Sequence, residues 1–150
     1  MQNALGEAQT IVLLGGTSEI GRAIVERLVT PTTSTVVLAS RHPESTDTAA
    51  FEAPGRSVVS VAFDAAETAS HQAFVDGLVA EHGDLDVVVV AFGQLGEHER
   101  MTNDAEAAAA LAHVNFTGAV SVMTAVAARF RSQGHGRLVV LSSVAGERVR

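Results

Sequence analysis

No cysteine occurs in this chain, which excludes disulfides and thiol chemistry while leaving the compartment open. Aromatic residues make up only 4%, and tyrosine is absent altogether. The core of a chain that is 47% apolar must therefore be built from Val, Ala, Leu and Ile. Basic residues number 10 against 17 acidic ones, for a net charge of −7. Nucleic acid is bound by neutralising phosphates with Lys and Arg, so this balance argues against it as a partner. No uninterrupted apolar run reaches the roughly 18–20 residues of a membrane span. Val87–Phe92 is short and Val-rich, and reads as a buried strand. The first ten residues lack the basic and apolar regions of a secretory signal.

At 150 residues the chain has the size of one domain. It contains no linker and no repeat, but its apolar periods alternate. Ile11–Leu14 reads as a strand. Glu19–Val29 reads as a helix with Ile20, Ala23, Ile24 and Leu28 on one face. Thr30-Pro-Thr-Thr33 breaks that helix, and Thr35–Ala39 follows as a second strand. Residues 41–56 carry Pro43, Pro54 and Gly55, which predicts a loop with a short helix around Asp47–Phe51. Ser57–Phe63 is a third strand. Ser70–Glu81 is a helix burying Phe74 and Leu78, stopped at Gly83. Asp86–Phe92 is a fourth strand. Asn103, with Glu106 three residues on, fits a capping box for a helix running as far as Ser132. Gly118 inside that helix implies close packing or a kink. Gly134-His-Gly136 ends it, and Arg137–Leu141 is a fifth strand. Continuous apolar strands alternating with helices specify an α/β fold, a doubly wound parallel sheet covered on both faces.

In such a sheet, ligands bind at the carboxyl ends of the strands. Leu14-Gly-Gly-Thr-Ser-Glu-Ile-Gly21 follows the first strand and opens the first helix. Unpaired N–H groups at a helix start suit a pyrophosphate. Gly15 would make the turn, Gly16 would let backbone approach the ligand, and Gly21 would let helix and strand pack. Alone, the segment fits an ordinary strand–turn–helix equally well. Ser40 and Arg41 follow strand two, Asp64 strand three, Ala91, Phe92 and Gly93 strand four, and Ser142 and Ser143 strand five. Their convergence on one crevice is a stronger signal than any one motif.

A carboxylate normally ends strand two where the adenosine ribose is unmodified. Arg41 can instead bind a 2′-phosphate, which points to NADPH, or it can solvate a loop. Asp64 suits an adenine amino group or a helix cap. Asn115, inside a mostly apolar helix, is read as a buried amide in need of partners. It either bonds backbone and holds a water for proton relay, or merely braces the helix. Ser142 and Ser143 can bind a substrate carbonyl or cap local backbone. The six histidines are scattered without a close ligand pair, so no metal site is expected. Glu97-His-Glu-Arg100 reads as a solvated loop, with a substrate-side role open.

These residues, in this order and spacing, resemble the short-chain dehydrogenase/reductase family across the whole chain. The family favours Gly at position 19 and Asn-Ala at positions 91–92, where this chain has Glu19 and Ala91-Phe92. Those departures, with Val90–Gly96 and Ser142–Arg150, resemble the branch that reduces a decaprenylphosphoryl 2-keto-pentose with a nicotinamide cofactor. The resemblance implies a Rossmann-type fold of which this chain holds the first five strands. It implies that Gly15, Thr17, Ser18, Ile20 and Gly21 hold phosphates and ribose; Glu19 within that turn, and Ser40 and Arg41 read from their place after strand two, are expected in the same cofactor site. Asp64 would bind adenine, and Ala91, Phe92 and Gly93 would line the adenine ribose. Asn115 would serve proton relay and Ser143 would orient the substrate. It also implies NADH, against the NADPH reading of Arg41. The implied partners are a polyprenyl-phosphate sugar, a flavin-dependent oxidase that makes the ketone, and further copies of the chain joined at the Asn103–Ser132 helix. The implied location is cytoplasmic or peripheral at the inner membrane, with the periplasmic side left open.

In the family, a Tyr-x-x-x-Lys pair after the serine supplies the proton. The sequence holds no tyrosine and ends at Arg150, so a longer enzyme is expected, with the 150 residues inactive by themselves. Two other readings stand beside the keto-sugar reductase: a reductase of another ketone, and a non-catalytic nucleotide-binding module.

Overall fold

A computed structural model describes residues 6–143. Residues 144–150, most of the Ser142–Arg150 phrase, lie outside the described part. Five parallel strands form one sheet in the order β3-β2-β1-β4-β5. These are β1 Thr10–Leu14, β2 Thr35–Ser40, β3 Ser57–Ala62, β4 Val87–Val90 and β5 Arg137–Val140. The chain moves outward from β1 to β3, then crosses back to β4 beside β1, pairing Ile11 with Val87 and Leu14 with Val90. This reversal of winding leaves a crevice between the carboxyl ends of β1 and β4.

Strand alternation divides the core. Ile11, Leu13, Val36, Leu38, Val87 and Val89 point to one face, with Val25 of helix α1 (Glu19–Leu28) and Phe51. Val12, Leu14, Val37, Val88 and Val90 point to the other. There they meet Val75 and Leu78 of α2 (His71–His82) and Val122, Ala125 and Val126 of α5 (Ala119–Gln133). Strands buried on both faces are continuous apolar runs, which is why they are legible from composition alone.

Several local expectations need correction. In α1, Gly21 and Val25 are buried and Ile24 and Leu28 pack on the core as expected, whereas Ile20 is 65% exposed and Ala23 also faces outward. Space beside β1 and β4 admits no side chain at position 21: a Cβ on Gly21 would lie 2.6 Å from Ala91 Cβ and 2.8 Å from Leu13 Cδ1. The 41–56 segment forms two short 3-10 turns, Pro43–Ser45 and Ala49–Phe51. Asn103 ends a short helix, α3 (His98–Asn103), and does not cap the next one. Asp104 does, accepting from Ala107 N–H at 3.0 Å to open α4 (Ala105–Ala112). A π-turn, His113–Gly118, then joins α4 to α5.

The joined helical stretch Ala105–Gln133 is 29 residues long with a mean hydropathy of 1.4 in its most apolar window. By length and composition alone it could cross a membrane, although no uninterrupted apolar run within it reaches that length. Alanine contributes length without standing out as strongly apolar. Here its inner face packs on the sheet through Val122, Ala125 and Val126.

Candidate functional site

Gly15 leaves β1 with φ of 101°, a conformation that favours glycine, and its N–H donates to Ala39 O at 2.9 Å. A Cβ there would sit 2.6 Å from Phe92 N, so the turn lies directly on the backbone that leaves β4. Gly16 plays a different part from the one expected. It is buried, and its Cβ would meet Leu38 Cβ at 3.0 Å, so it packs on β2. Ser18 caps α1 by accepting from Gly21 N–H at 3.2 Å. Arg22 anchors the turn from behind, donating to Gly16 O at 3.2 Å and to Asp47 O at 2.7 Å, with its guanidinium over the Phe51 ring.

The crevice has a volume of about 260 Å³. Among the expected residues, Gly15, Thr17, Ser18, Ser40, Arg41, Asp64, Ala91, Phe92 and Gly93 line it. Ala39, Phe63, Ala65, Gln94 and Val114 line it too. The first three of these flank residues already singled out at strand ends. Gln94 follows Gly93 directly at the end of β4, and Val114 precedes Asn115 in the π-turn, a segment for which the sequence carries no periodic signal. Glu19 and Ile20 are exposed in the first turn of α1 and do not line the crevice, and Gly21 contributes packing.

Among the described residues, the β2 end is followed by the cation Arg41 where a carboxylate would accept from an unmodified ribose. Ser40 is buried and shares a 2.8 Å hydrogen bond with Thr46 Oγ1, which itself lies 3.3 Å from His42 O. Its hydroxyl is thus tied into the following loop, and the exposed Arg41 is the charged group presented at this end. Asp64 accepts from Ala66 N–H through Oδ1 at 2.9 Å, a local turn that aims the carboxylate at the crevice. The Phe63 ring stacks at 5.1 Å on His71, whose Nε2 lies 3.2 Å from Asp64 O.

Asn115 is exposed, not buried, yet both ends of its amide are engaged. Oδ1 accepts from Gln94 N–H and Nδ2 donates to Gln94 O, each at 2.8 Å. Both bonds go to the Gln94 backbone after β4, outside the helical stretch that carries Asn115. Ser142 and Ser143 are exposed just beyond β5. No cluster of histidine and carboxylates able to hold a metal occurs among the described residues.

A glycine turn opening a helix, a free cation after β2, a carboxylate after β3 and a switch-point crevice fit a dinucleotide. The family model for short chain dehydrogenases matches residues 9–150, and the chain belongs to that family. It is 42% identical over 146 residues to the uncharacterized oxidoreductase Rv2073c of Mycobacterium tuberculosis, covering 95% of this chain and 58% of that protein. It is 41% identical over 151 residues to an uncharacterized oxidoreductase of Streptomyces coelicolor, covering 99% of this chain and 60% of that one. The chain thus spans about three-fifths of these relatives.

Among solved structures, a short-chain dehydrogenase/reductase of Mycobacterium ulcerans superposes with a TM-score of 0.80 at 25% identity, over 96% of this chain and 54% of that one. A gluconate 5-dehydrogenase of Burkholderia cenocepacia, solved with NADP and tartrate, gives 0.81 at 25% identity, over 96% and 57%.

Proposed function

We propose that the protein carrying this chain is a nicotinamide-dependent oxidoreductase that interconverts a ketone and a secondary alcohol. The convergence of Gly15, Arg41, Asp64 and Ala91–Gly93 on one crevice supports this most strongly. Gly15, Thr17 and Ser18 would face the pyrophosphate, Asp64 the adenine, and Arg41 a 2′-phosphate, which favours NADPH. The bound nicotinamide would supply the hydride. Negative charge then develops on the carbonyl oxygen, and a positioned donor must provide a proton. Ser143 would orient that carbonyl. Asn115, committed to Gln94, would hold the π-turn in place for proton relay without offering its own amide.

For the substrate, we infer a polyprenyl-phosphoryl 2-keto-pentose, reduced to the arabinose donor of cell-wall arabinan. A flavin-dependent oxidase would make the ketone, and the work would be done peripherally at the inner membrane. Glu19 in the glycine turn and Ala91-Phe92 after β4 support this narrower reading. The test is to supply the complete gene product with the keto-sugar lipid and either reduced cofactor. Cofactor oxidation faster than with unrelated ketones is expected. Equal or better turnover of unrelated ketones would overturn the substrate, and a folded protein that binds no dinucleotide would overturn the class.

A further inference from the structure

The π-turn grips both sides of the crevice at once. His113 opens the turn, and its Nε2 lies 2.9 Å from Ala66 O. A carbonyl oxygen only accepts, so Nε2 carries the proton and donates. Gly118 closes the turn against the same strip of backbone: a Cβ on it would stand 2.2 Å from Ala65 O. In an α-helix, residues five apart point about 140° from one another. The i→i+5 pairing of a π-turn brings them round to one side. That is how His113 and Gly118 both reach the Asp64–Ala66 turn.

Between them, Asn115 leaves the helix on another side and clamps Gln94 through two 2.8 Å hydrogen bonds. Gln94 and Asp64 both line the crevice, one following β4 and the other following β3. Ala66 is the link on the Asp64 side. Its N–H fixes the Asp64 carboxylate at 2.9 Å, and its carbonyl receives His113.

We propose that His113 is a positioning residue that transmits occupancy of the Asp64 side of the crevice to the Gln94–Asn115 clamp. Binding an adenine nucleotide orders the Asp64–Ala66 turn. Through the His113–Ala66 hydrogen bond, that order reaches the π-turn and steadies the backbone at Gln94. The inference rests on the reading of the crevice as a nucleotide site. His71 supports the same turn from α2, through Asp64 O at 3.2 Å and Ser121 Oγ of α5 at 3.0 Å, with no hydrogen bond to the π-turn among the described residues. His71 thus ties the turn to α5, whereas His113 ties it to the π-turn itself.

The test uses the complete gene product with ADP as the probe, which carries adenine and pyrophosphate and no nicotinamide. Amide hydrogen exchange is followed in the peptide containing Gln94. In the wild-type protein, ADP should slow exchange there as well as at Asp64–Ala66. His113→Phe keeps the ring but loses the donor. It should bind ADP about threefold to tenfold more weakly, as expected for one hydrogen bond. At saturating ADP it should keep protection at Asp64–Ala66 and lose at least half of the protection at Gln94. His113→Gln retains a donor and should restore most of it, and it carries the comparison if the Phe variant does not fold. Full protection at Gln94 in the Phe variant, or a folded Gln variant that transmits no protection, would overturn the proposal. Failure of the wild-type protein to bind ADP would instead overturn the nucleotide reading beneath it.

Discussion

The two ends of the sheet use the same kinds of side chain for opposite purposes. At the amino end, Asp86 is fully buried, and Oδ2 accepts from Gln9 N–H at 2.8 Å and Thr10 N–H at 3.0 Å. Oδ1 lies 3.2 Å from His135 Nε2, so one carboxylate ties the starts of β1 and β4 to the residues before β5. Gln133 closes the same region by donating to Leu85 O and His135 O. At the carboxyl end, Asp64 spends one oxygen on a local turn and lines the crevice, while Arg41 is exposed at the crevice wall. Five strand residues, roughly 16 Å, separate the ends. Polar groups that consume one another hold the sheet together, whereas polar groups that face a crevice are available to a ligand.

The strongest way to break this contrast is Asp86→Ala. Two strand-end N–H groups and His135 would lose a buried acceptor. Unsatisfied buried donors cost about 1–3 kcal/mol each, so a loss of about 3 kcal/mol is expected in denaturant unfolding. Dinucleotide affinity of the remaining folded protein should stay within about twofold, since the crevice lies at the far end of a rigid sheet. Equal damage to stability and to binding would show that the two ends do not act separately.

Arg41→Asp probes the open end with a smaller expected effect. A charge-assisted hydrogen bond contributes about 1.5–3 kcal/mol, so NADPH should bind about tenfold to a hundredfold more weakly. NADH should change by less than about threefold, and the unfolding midpoint should not move, because surface substitutions usually change stability by under about 0.5 kcal/mol. Titration with both cofactors measures this. An unchanged preference would remove Arg41 from the 2′-phosphate reading.

What could be read from the sequence follows the same division. The strands are legible because Val87–Val90 and Ile11–Leu14 are buried on both faces, and burial on both faces leaves an uninterrupted apolar run. Strand ends then point to the crevice through topology, which is how Arg41, Asp64 and Ala91–Gly93 could be found together. The inward face of α1 was legible in part: Gly21 packs helix on strand as its motif position implies, and Ile24 and Leu28 pack on the core, whereas Ile20 and Ala23 satisfy the helical period yet face outward. Gly118 signalled close packing, but its partner, the Ala65 carbonyl, depends on tertiary structure. The π-turn has no period of its own in six residues, so His113 looked like one more scattered histidine.

The smallest expected effect concerns a carboxylate that belongs to neither end's network. Asn103 and Asp104 are both competent caps, and the capping-box spacing from Asn103 to Glu106 favoured the wrong one. Asp104 caps α4, and the Ala107 N–H holds its carboxyl below the usual value of 3.8, assisted by Arg100 and the Glu106 N–H against a desolvation cost. A folded value below the unfolded one means that the stabilisation is present above the unfolded value. It fades as pH falls through the lower, folded value. At neutral pH, Asp104→Ala should speed amide exchange at Ala107 and leave Asp64 and Asp86 undisturbed. The gap between variant and wild type should persist down to about pH 4 and close below it. Asp104→Asn retains an acceptor without a titrating charge, so its cap should not change with pH. A gap that persists unchanged in strong acid would mean that the charge on Asp104 contributes nothing to the cap.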